Sequence, residues 1–145
     1  MIELRPIELF AAYYMQDDLK LAVPSFHREM YELAEAGHKR IAIAAPRSFA
    51  KSIVFSKIYC TYMACTKRAK RIILLSATGS LARFWLKEIK YEFEQNPFIR
   101  DNDPESGRGF GNLVGDVWTQ DEIKITHPGW FTGEILAKGA GFQMR

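Results

Sequence analysis

The stretch Ala45-Pro-Arg-Ser-Phe-Ala-Lys-Ser52 has the residue types and the spacing of a loop that holds phosphate. The phosphate-loop pattern has a glycine at each end of a short loop, then lysine and a serine or threonine, between a strand and a helix. Lys51 and Ser52 stand at the required offset from position 45. In such a loop, backbone N–H groups and the helix N-terminus surround the phosphates, lysine reaches the β- and γ-phosphates, and the hydroxyl ligates Mg²⁺. The segment therefore predicts a site for a nucleoside triphosphate with Mg²⁺.

Both glycines of the pattern are replaced by alanine, at Ala45 and Ala50. Alanine resists the positive φ that glycine adopts, by roughly 1–2 kcal/mol. Ala50 matters more, because the backbone before Lys51 must approach the phosphate closely. A methyl group is the smallest side chain, so we expect a compromised loop rather than an excluded one. The alternative is an ordinary helix start, with Lys51 solvated and the Ser52 hydroxyl capping its own backbone.

Apolar periodicity predicts the elements that would position this loop. A buried strand over Arg40–Ala45 precedes it, a helix over residues 51–66 follows, and Ile72–Leu75 is a second continuous apolar strand. Strand–helix–strand with apolar strands is typical of a parallel sheet buried on both faces. The predicted fold class is therefore α/β, with a phosphate-loop βαβ unit and flanking helices.

Further elements are predicted on either side of this unit. Helices are expected within residues 2–20 and from Ser25 to a stop at Gly37. Apolar residues from Leu81 to Phe93 step at helical spacing, with Trp85, Tyr91 and Phe93 expected in the core. Residues 100–116 have the composition of a loop. A C-terminal hairpin then pairs Glu122–Thr126 with residues 131–137 through the turn 127–130, and residues 139–141 form a further turn.

Positive charge is concentrated in the middle of the chain. Residues 1–35 carry three basic and seven acidic side chains, residues 36–87 carry eleven basic and none acidic, and residues 88–145 carry six basic and ten acidic. Such a block favours an anionic partner, either nucleotide or nucleic acid, unless folding scatters the charges over the surface. The candidate nucleic-acid contacts are Lys67, Arg68, Lys70, Arg71, Arg83, Lys87 and Lys90.

The loop resembles the Walker A motif of large terminase subunits, the ATPases that pump double-stranded DNA into viral capsids. That family often reads P-R-[GS]-x-[GA]-K-[ST], which has an arginine where Arg47 stands and tolerates a non-glycine first position. Five further segments resemble the family in the same order along residues 24–145. They are Pro24–Met30, Ile73–Thr78 with Ala82, Phe84 and Trp85, Glu92–Asn96, Trp118–Ile123, and Ala137–Arg145.

The resemblance implies a role for each loop residue. Lys51 would clamp the phosphates and Arg47 would approach the γ-phosphate, its guanidinium bridging two oxygens, so these two are the predicted catalytic residues. Ser52 would ligate Mg²⁺. His27 would touch the base, unless it is an ordinary half-buried histidine, and Arg47 could instead hold a carboxylate. The predicted nucleotide-binding set is His27, Ala45, Pro46, Arg47, Ser48, Phe49, Ala50, Lys51 and Ser52.

The resemblance also implies an organisation. Residues 1–36 would be a helical lead-in on the adenine side, and residues 37–145 a partial ATPase core. The family's Walker B acids and nuclease domain have no counterpart here, because Asp116 and Glu134 stand in the wrong context. We therefore expect the N-terminal part of a larger protein, binding ATP without hydrolysing it alone. Sequence past Arg145 should then supply a Walker B strand with its acids.

The resemblance implies double-stranded DNA, a portal protein and a small terminase subunit as partners, a homo-oligomeric ring, no membrane, and the cytoplasm of the infected host cell. Two other functions remain open. A different P-loop translocase or helicase-like ATPase would usually keep both glycines and lack an arginine at position 47. A non-catalytic remnant of the fold would bind nucleic acid through residues 36–87. Cys60 and Cys65 lack a partner pair, so reduced thiols are expected.

Overall fold

The computed structural model describes residues 6–15, 25–37, 39–42, 52–101, 109–127 and 132–141. The chain divides into two compact units, Met1–Tyr62 and Met63–Arg145. The first contains helices, and the second combines helices with a four-stranded sheet. The expected α/β class is therefore confirmed.

The Met1–Tyr62 unit is built from short helices. The backbone N–H of Ile7, in the first helix, donates a 3.0 Å hydrogen bond to Glu35 Oε1 at the end of the second. That second helix is followed by Gly37 at φ +75°, the left-handed conformation that often closes a helix. The predicted start at Ser25 and stop at Gly37 are confirmed. The helices are α1 (Pro6–Tyr14), α2 (Ser25–Glu35), a π-helix (Ile53–Tyr59) and α3 (Cys60–Cys65), which runs past the unit boundary.

The helix predicted over residues 51–66 is helical from Ser52 to Cys65, but its first half is a π-helix. A π-helix hydrogen-bonds each residue to the fifth before it and so is wider than an α-helix. Val54, Lys57 and Ile58 are its buried residues. The apolar spacing that predicts a helix here does not distinguish the two types.

The strand predicted over Arg40–Ala45 is wrong in the part that the structure describes. Residues 40–42 belong to no strand, and Ile41 is 39% exposed. Residues 43–45 lie outside the described residues. The expected parallel pairing between this segment and Ile72–Leu75 is therefore not found there.

The Met63–Arg145 unit carries a mixed sheet rather than a parallel one. Its strand order is β1-β4-β3-β2, in which β1 pairs parallel to β4 and the remaining pairs are antiparallel. The predicted hairpin is confirmed as β3–β4, whereas β2 includes Val114–Asp116, which had been expected as loop. The elements are β1 (Arg71–Ser76), α4 (Gly79–Gln95), α5 (Pro97–Arg100), β2 (Val114–Trp118), β3 (Glu122–Thr126) and β4 (Thr132–Gly139).

One face of this sheet is the core of the unit, where α4 packs against β1 and β4. Alternate strand residues point to this inner face, and α4 contributes side chains three and four apart. Burying a large apolar side chain stabilises a fold by roughly 1.5–3 kcal/mol. The buried residues are Leu74, Ile123, Ile125, Ile135 and Ala137 from the strands, with Ala82, Leu86, Ile89 and Phe93 from α4.

Strand β1 is buried on one face only, so the prediction of a strand buried on both faces is wrong. Ile73 is 38% exposed and Leu75 is 61% exposed. Both alternate with the inward-facing Leu74, and β1 stands at one end of the sheet order. Because α4 lies against the opposite face, these two side chains remain on the outer face.

The end of β4 lies against the start of α4, and a glycine makes this approach possible. A Cβ atom placed on Gly139 would lie 2.6 Å from the backbone nitrogen of Gly79 and 3.1 Å from its Cα. A Cβ placed on Gly79 would instead meet only the Arg83 guanidinium, at 3.7 Å, an ordinary contact. Of this pair, Gly139 is the residue that the packing requires to be glycine.

Gly139→Ala should lower the free energy of unfolding by about 1–3 kcal/mol, because the backbone of α4 must shift to admit the methyl group. Gly79→Ala is the matched control and should stay within about 0.5 kcal/mol of the wild type. Urea unfolding followed by circular dichroism measures both. Equal stability of the two variants would show that the close approach does not constrain the fold.

Candidate functional site

The parallel strands β1 and β4 end side by side, and α4 begins at the same edge. Ser76 stands in register with Gly139, and Ala140 N–H donates a 2.8 Å hydrogen bond to Ser76 O. In α/β sheets, ligands bind outside the carboxyl ends of the strands. Ser76, Thr78 and the first turn of α4 therefore line the edge of the sheet where such chemistry usually takes place.

Thr78 has a structural role at this edge. Its backbone is extended, and its hydroxyl oxygen accepts a 3.2 Å hydrogen bond from Leu81 N–H. It is thus the N-cap of α4. The bond satisfies one of the backbone donors that a helix start leaves free.

The predicted phosphate loop meets the described residues only at Ser52. Ser52 is the first described residue of the helical run, with φ −70° and ψ −33°, and its side chain makes no capping hydrogen bond. The alternative in which this hydroxyl caps its own backbone is therefore not found. Ala45, Pro46, Arg47, Ser48, Phe49, Ala50 and Lys51 lie outside the described residues. His27 lies in α2, but its side chain is also outside them. The roles of these residues stay predictions.

The basic candidates for nucleic-acid contact differ in how they are engaged. Arg71 forms an ion pair with Glu134 across the β1–β4 ladder. Arg83 forms one with Asp121 at 2.7 Å, and both of these side chains are exposed. Lys90 Nζ donates to Thr119 O at 3.3 Å. Arg83 and Lys90 thus have partners within their own unit, and solvent screening leaves such exposed contacts weak.

Polar side chains near the end of α4 contact β2 and α5. Glu94 on α4 accepts a hydrogen bond from the indole Nε1–H of Trp118 at the end of β2. Asn96 Nδ2 donates to Glu92 Oε2 at 2.7 Å, and Asn96 Oδ1 accepts from Phe98 N–H at 3.0 Å. Asn96 is thus the N-cap of α5. These polar residues therefore connect α4 to α5 and to β2.

The three aromatic side chains expected in the core have different environments. Phe93 is 1% exposed, which confirms the prediction, and its ring lies 6.3 Å from that of Trp118, between centroids. Trp85 is only partly buried. Tyr91 is 58% exposed, so its assignment to the core is wrong. Tyr91 lies on the side of α4 opposite the buried residues. The spacing of apolar residues predicts a helix but does not show which of its aromatic side chains faces the core.

The described residues offer little metal-binding or thiol chemistry. Among them, no group of three His, Cys, Asp or Glu side chains could hold a metal ion. Cys60 and Cys65 are free and buried, in agreement with the prediction of reduced thiols. Burial raises the pKa of the Cys60 thiol to about 12, and burial together with the Glu92 charge raises that of Cys65. Both thiols are therefore protonated at neutral pH and are poor nucleophiles.

Comparison with protein families, with curated proteins and with solved structures found no match to this chain. In the part of the chain that the structure describes, no helix is both long enough and apolar enough to cross a membrane.

His127 has an imidazole that could take part in chemistry, but it is not among the predicted site residues. It follows β3, is 3% exposed, and its Nε2 lies 2.8 Å from Ala64 O. A carbonyl oxygen can only accept, so Nε2 carries the proton and donates. Desolvation by burial lowers the pKa of this imidazole below its usual value, and the nearby Lys67 charge adds to the effect, although the bond to Ala64 opposes it. His127 is therefore held neutral inside the fold.

Thr78→Ala should lower the free energy of unfolding by about 1 kcal/mol, because the Leu81 N–H loses its acceptor. Thr78→Ser keeps the hydroxyl and should retain most of the stability. Urea titration of the three proteins makes the comparison. If the serine variant is as unstable as the alanine variant, the hydroxyl is not what stabilises the start of α4.

Acidification should destabilise the Met63–Arg145 unit through His127. Because the folded pKa lies below the unfolded one, the unfolded state binds more protons between the two values, and stability falls as the pH drops from about 6.5. His127→Gln should flatten this dependence between about pH 5 and 7, where unperturbed carboxylates stay ionised. Thermal unfolding of both proteins across that range tests it, since His27 and His38 are common to both. Parallel pH profiles would contradict the prediction.

Proposed function

We propose that this chain is the ATP-binding part of a viral DNA-packaging motor of the terminase large-subunit type. The observation that carries the proposal is the order of elements after the Lys51-Ser52 dipeptide. The described helical run has Ser52 as its first described residue, and β1 follows it along the chain as one member of a parallel strand pair. A phosphate loop needs such a helix N-terminus to present backbone N–H groups to the anion.

Ser52 is the residue whose geometry bears on the metal. Its side chain makes no capping hydrogen bond to the helix that follows. A hydroxyl oxygen suits Mg²⁺, which prefers oxygen ligands. When bound, Mg²⁺ would neutralise charge on the β- and γ-phosphates. These features support Ser52 as the magnesium ligand of the proposed site.

Lys51 and Arg47 would supply the remaining positive charge. A lysine next to the helix N-terminus would hold the β- and γ-phosphates as a point charge. A guanidinium in the loop would bridge two oxygens of the γ-phosphate with parallel hydrogen bonds. His27 would contact the base. Asp116 and Glu134 are not proposed as the catalytic acid, because Asp116 is an exposed residue of β2 and Glu134 is ion-paired with Arg71.

The proposal extends to the partners of such a motor. Double-stranded DNA would be the translocated substrate, with a portal protein, a small terminase subunit and further copies of the chain completing the assembly in the cytoplasm of an infected cell. The acid-free block of residues 36–87 supports an anionic partner. Ser76 would be positioned to respond to bound nucleotide, since it ends β1 at the edge where α/β sheets bind ligands.

Lys51→Ala should weaken the binding of a fluorescent ATP analogue by at least about tenfold, because one charge-assisted contact to phosphate is lost. Lys39→Ala is the matched control. Lys39 is an exposed lysine in the same unit and should leave the affinity unchanged. Fluorescence titration in the presence of Mg²⁺ measures all three proteins. If Lys51→Ala binds the analogue as tightly as Lys39→Ala does, the proposed phosphate loop does not bind nucleotide.

Ser52→Ala separates the metal from the phosphate. This variant should bind the analogue equally well with Mg²⁺ and with EDTA, whereas the wild type should bind more tightly with Mg²⁺. The same titration in the two buffers gives the answer. A Mg²⁺ effect that survives in Ser52→Ala would remove this hydroxyl from the proposed metal site.

A further inference from the structure

A small polar pocket lies at the amino end of the parallel strand pair β1–β4, in the Met63–Arg145 unit. Its volume is about 230 Å³, and it is formed where the amino ends of β1 and β4 meet the middle of β3. The lining residues are Lys70, Lys124, Thr132, Gly133 and Glu134. None of these residues belongs to the predicted nucleotide site.

Strand register brings the charges of this pocket together. Arg71 stands opposite Glu134 on β4, and Glu134 stands opposite Lys124 on β3, so the three residues form a row across three strands. Arg71 and Glu134 form an ion pair and so neutralise each other. Lys70, the residue before Arg71 in sequence, also lines the pocket. Lys70 and Lys124 form no ion pair with the described residues.

The two lysines are free to bind a ligand. Neither forms an ion pair or a side-chain hydrogen bond with any residue that the structure describes, although Lys124 is the cross-strand neighbour of Glu134. Lys70 is exposed and Lys124 is partly buried. Glu122, two residues before Lys124 on β3, has its side chain on the same face. The Glu122 carboxylate therefore limits the positive surface of Lys70 and Lys124 to the amino end of β4.

The chemistry of the pocket suits a phosphate group. Two ammonium groups supply charge and N–H donors, and the Thr132 hydroxyl adds a further donor. Ammonium and hydroxyl groups recognise phosphate oxygens rather than base faces, so these groups favour contact with a nucleic-acid backbone. Lys67 and Arg68, exposed in the turn before β1, continue the positive surface.

We propose that Lys70 and Lys124 form a contact site for a backbone phosphate of double-stranded DNA. The site is separate from the proposed nucleotide loop and does not require ATP. Lys70 belongs to the acid-free block of residues 36–87, whereas Lys124 lies well outside that block in sequence. In this respect the proposal goes beyond the function inferred above, and it can be tested without nucleotide.

The test is the affinity of the full chain for a fluorescent DNA duplex of about 20 base pairs, measured by anisotropy over a range of salt concentrations. The variant is Lys70→Gln with Lys124→Gln, and the control is Lys39→Gln with Lys138→Gln, which removes the same charge from lysines outside the pocket. Each phosphate contact contributes about 0.9 to the slope of log K against log salt. The pocket variant should lose about one from that slope, as expected for one phosphate contact, and about tenfold in affinity at low salt.

A third variant, Lys70→Arg with Lys124→Arg, keeps both charges and should bind the duplex nearly as the wild type does. Equal affinity and equal slope for the pocket variant and the Lys39/Lys138 control would overturn the proposal. So would a pocket variant that loses binding of inorganic phosphate, measured by calorimetry, while its affinity for the duplex is unchanged.

The proposed function fails separately from this site. Lys51→Ala tests the nucleotide loop through the affinity for the ATP analogue, whereas the Lys70→Gln/Lys124→Gln variant tests the duplex site without ATP. Duplex binding that depends on Lys51 and not on Lys70 and Lys124 would move the DNA contact away from the pocket.

Discussion

The parallel ladder between β1 and β4 is the interaction on which the Met63–Arg145 unit depends. It pairs six residues of each strand, from Arg71 with Glu134 to Ser76 with Gly139. Because parallel strands cannot be joined by a tight turn, the chain between them has to cross over, and α4 with the β2–β3 ribbon occupies that crossover. The ladder fixes the inner face that α4 covers. It also gives the sheet two distinct ends, with different chemistry at each.

At the carboxyl end, the ladder brings main chain rather than charge together. Gly139 allows the backbone of α4 to approach β4, and Thr78 caps that helix. At the amino end, the same ladder aligns Arg71, Glu134 and Lys124 in one row.

The parts of the fold that could be predicted are those with a strong local signal. The alternation in Glu122–Thr126 and the helical spacing from Leu81 to Phe93 both correspond to the observed elements. Strand β2 could not be predicted, because Gly115 and Asp116 disfavour strands. Strand β2 depends on contacts with β3 that are distant in sequence. The β2–β3 register shifts within β2, and a Cβ on Gly115 would lie 2.2 Å from Lys124 O, so glycine allows the two strands to approach.

The candidate sites differ in the same way. The phosphate-loop residues are adjacent in sequence, so a motif could identify them without any structure. Lys70 and Lys124 are 54 positions apart and meet only through strand pairing, so no local pattern could identify their pocket. The strand predicted over Arg40–Ala45 shows the limit of the local argument. Its apolar run suits a buried strand, yet its described part has no pairing partner among the described residues.

The most direct test of the central claim is to follow the backbone amide resonances of the full chain by NMR while a non-hydrolysable ATP analogue and Mg²⁺ are added. The account predicts that the largest shifts fall on Pro46–Ser52, read from its non-proline amides. Largest shifts at Lys70, Lys124 and Thr132 would contradict it, because the phosphates would then bind in the pocket of the Met63–Arg145 unit instead of the loop.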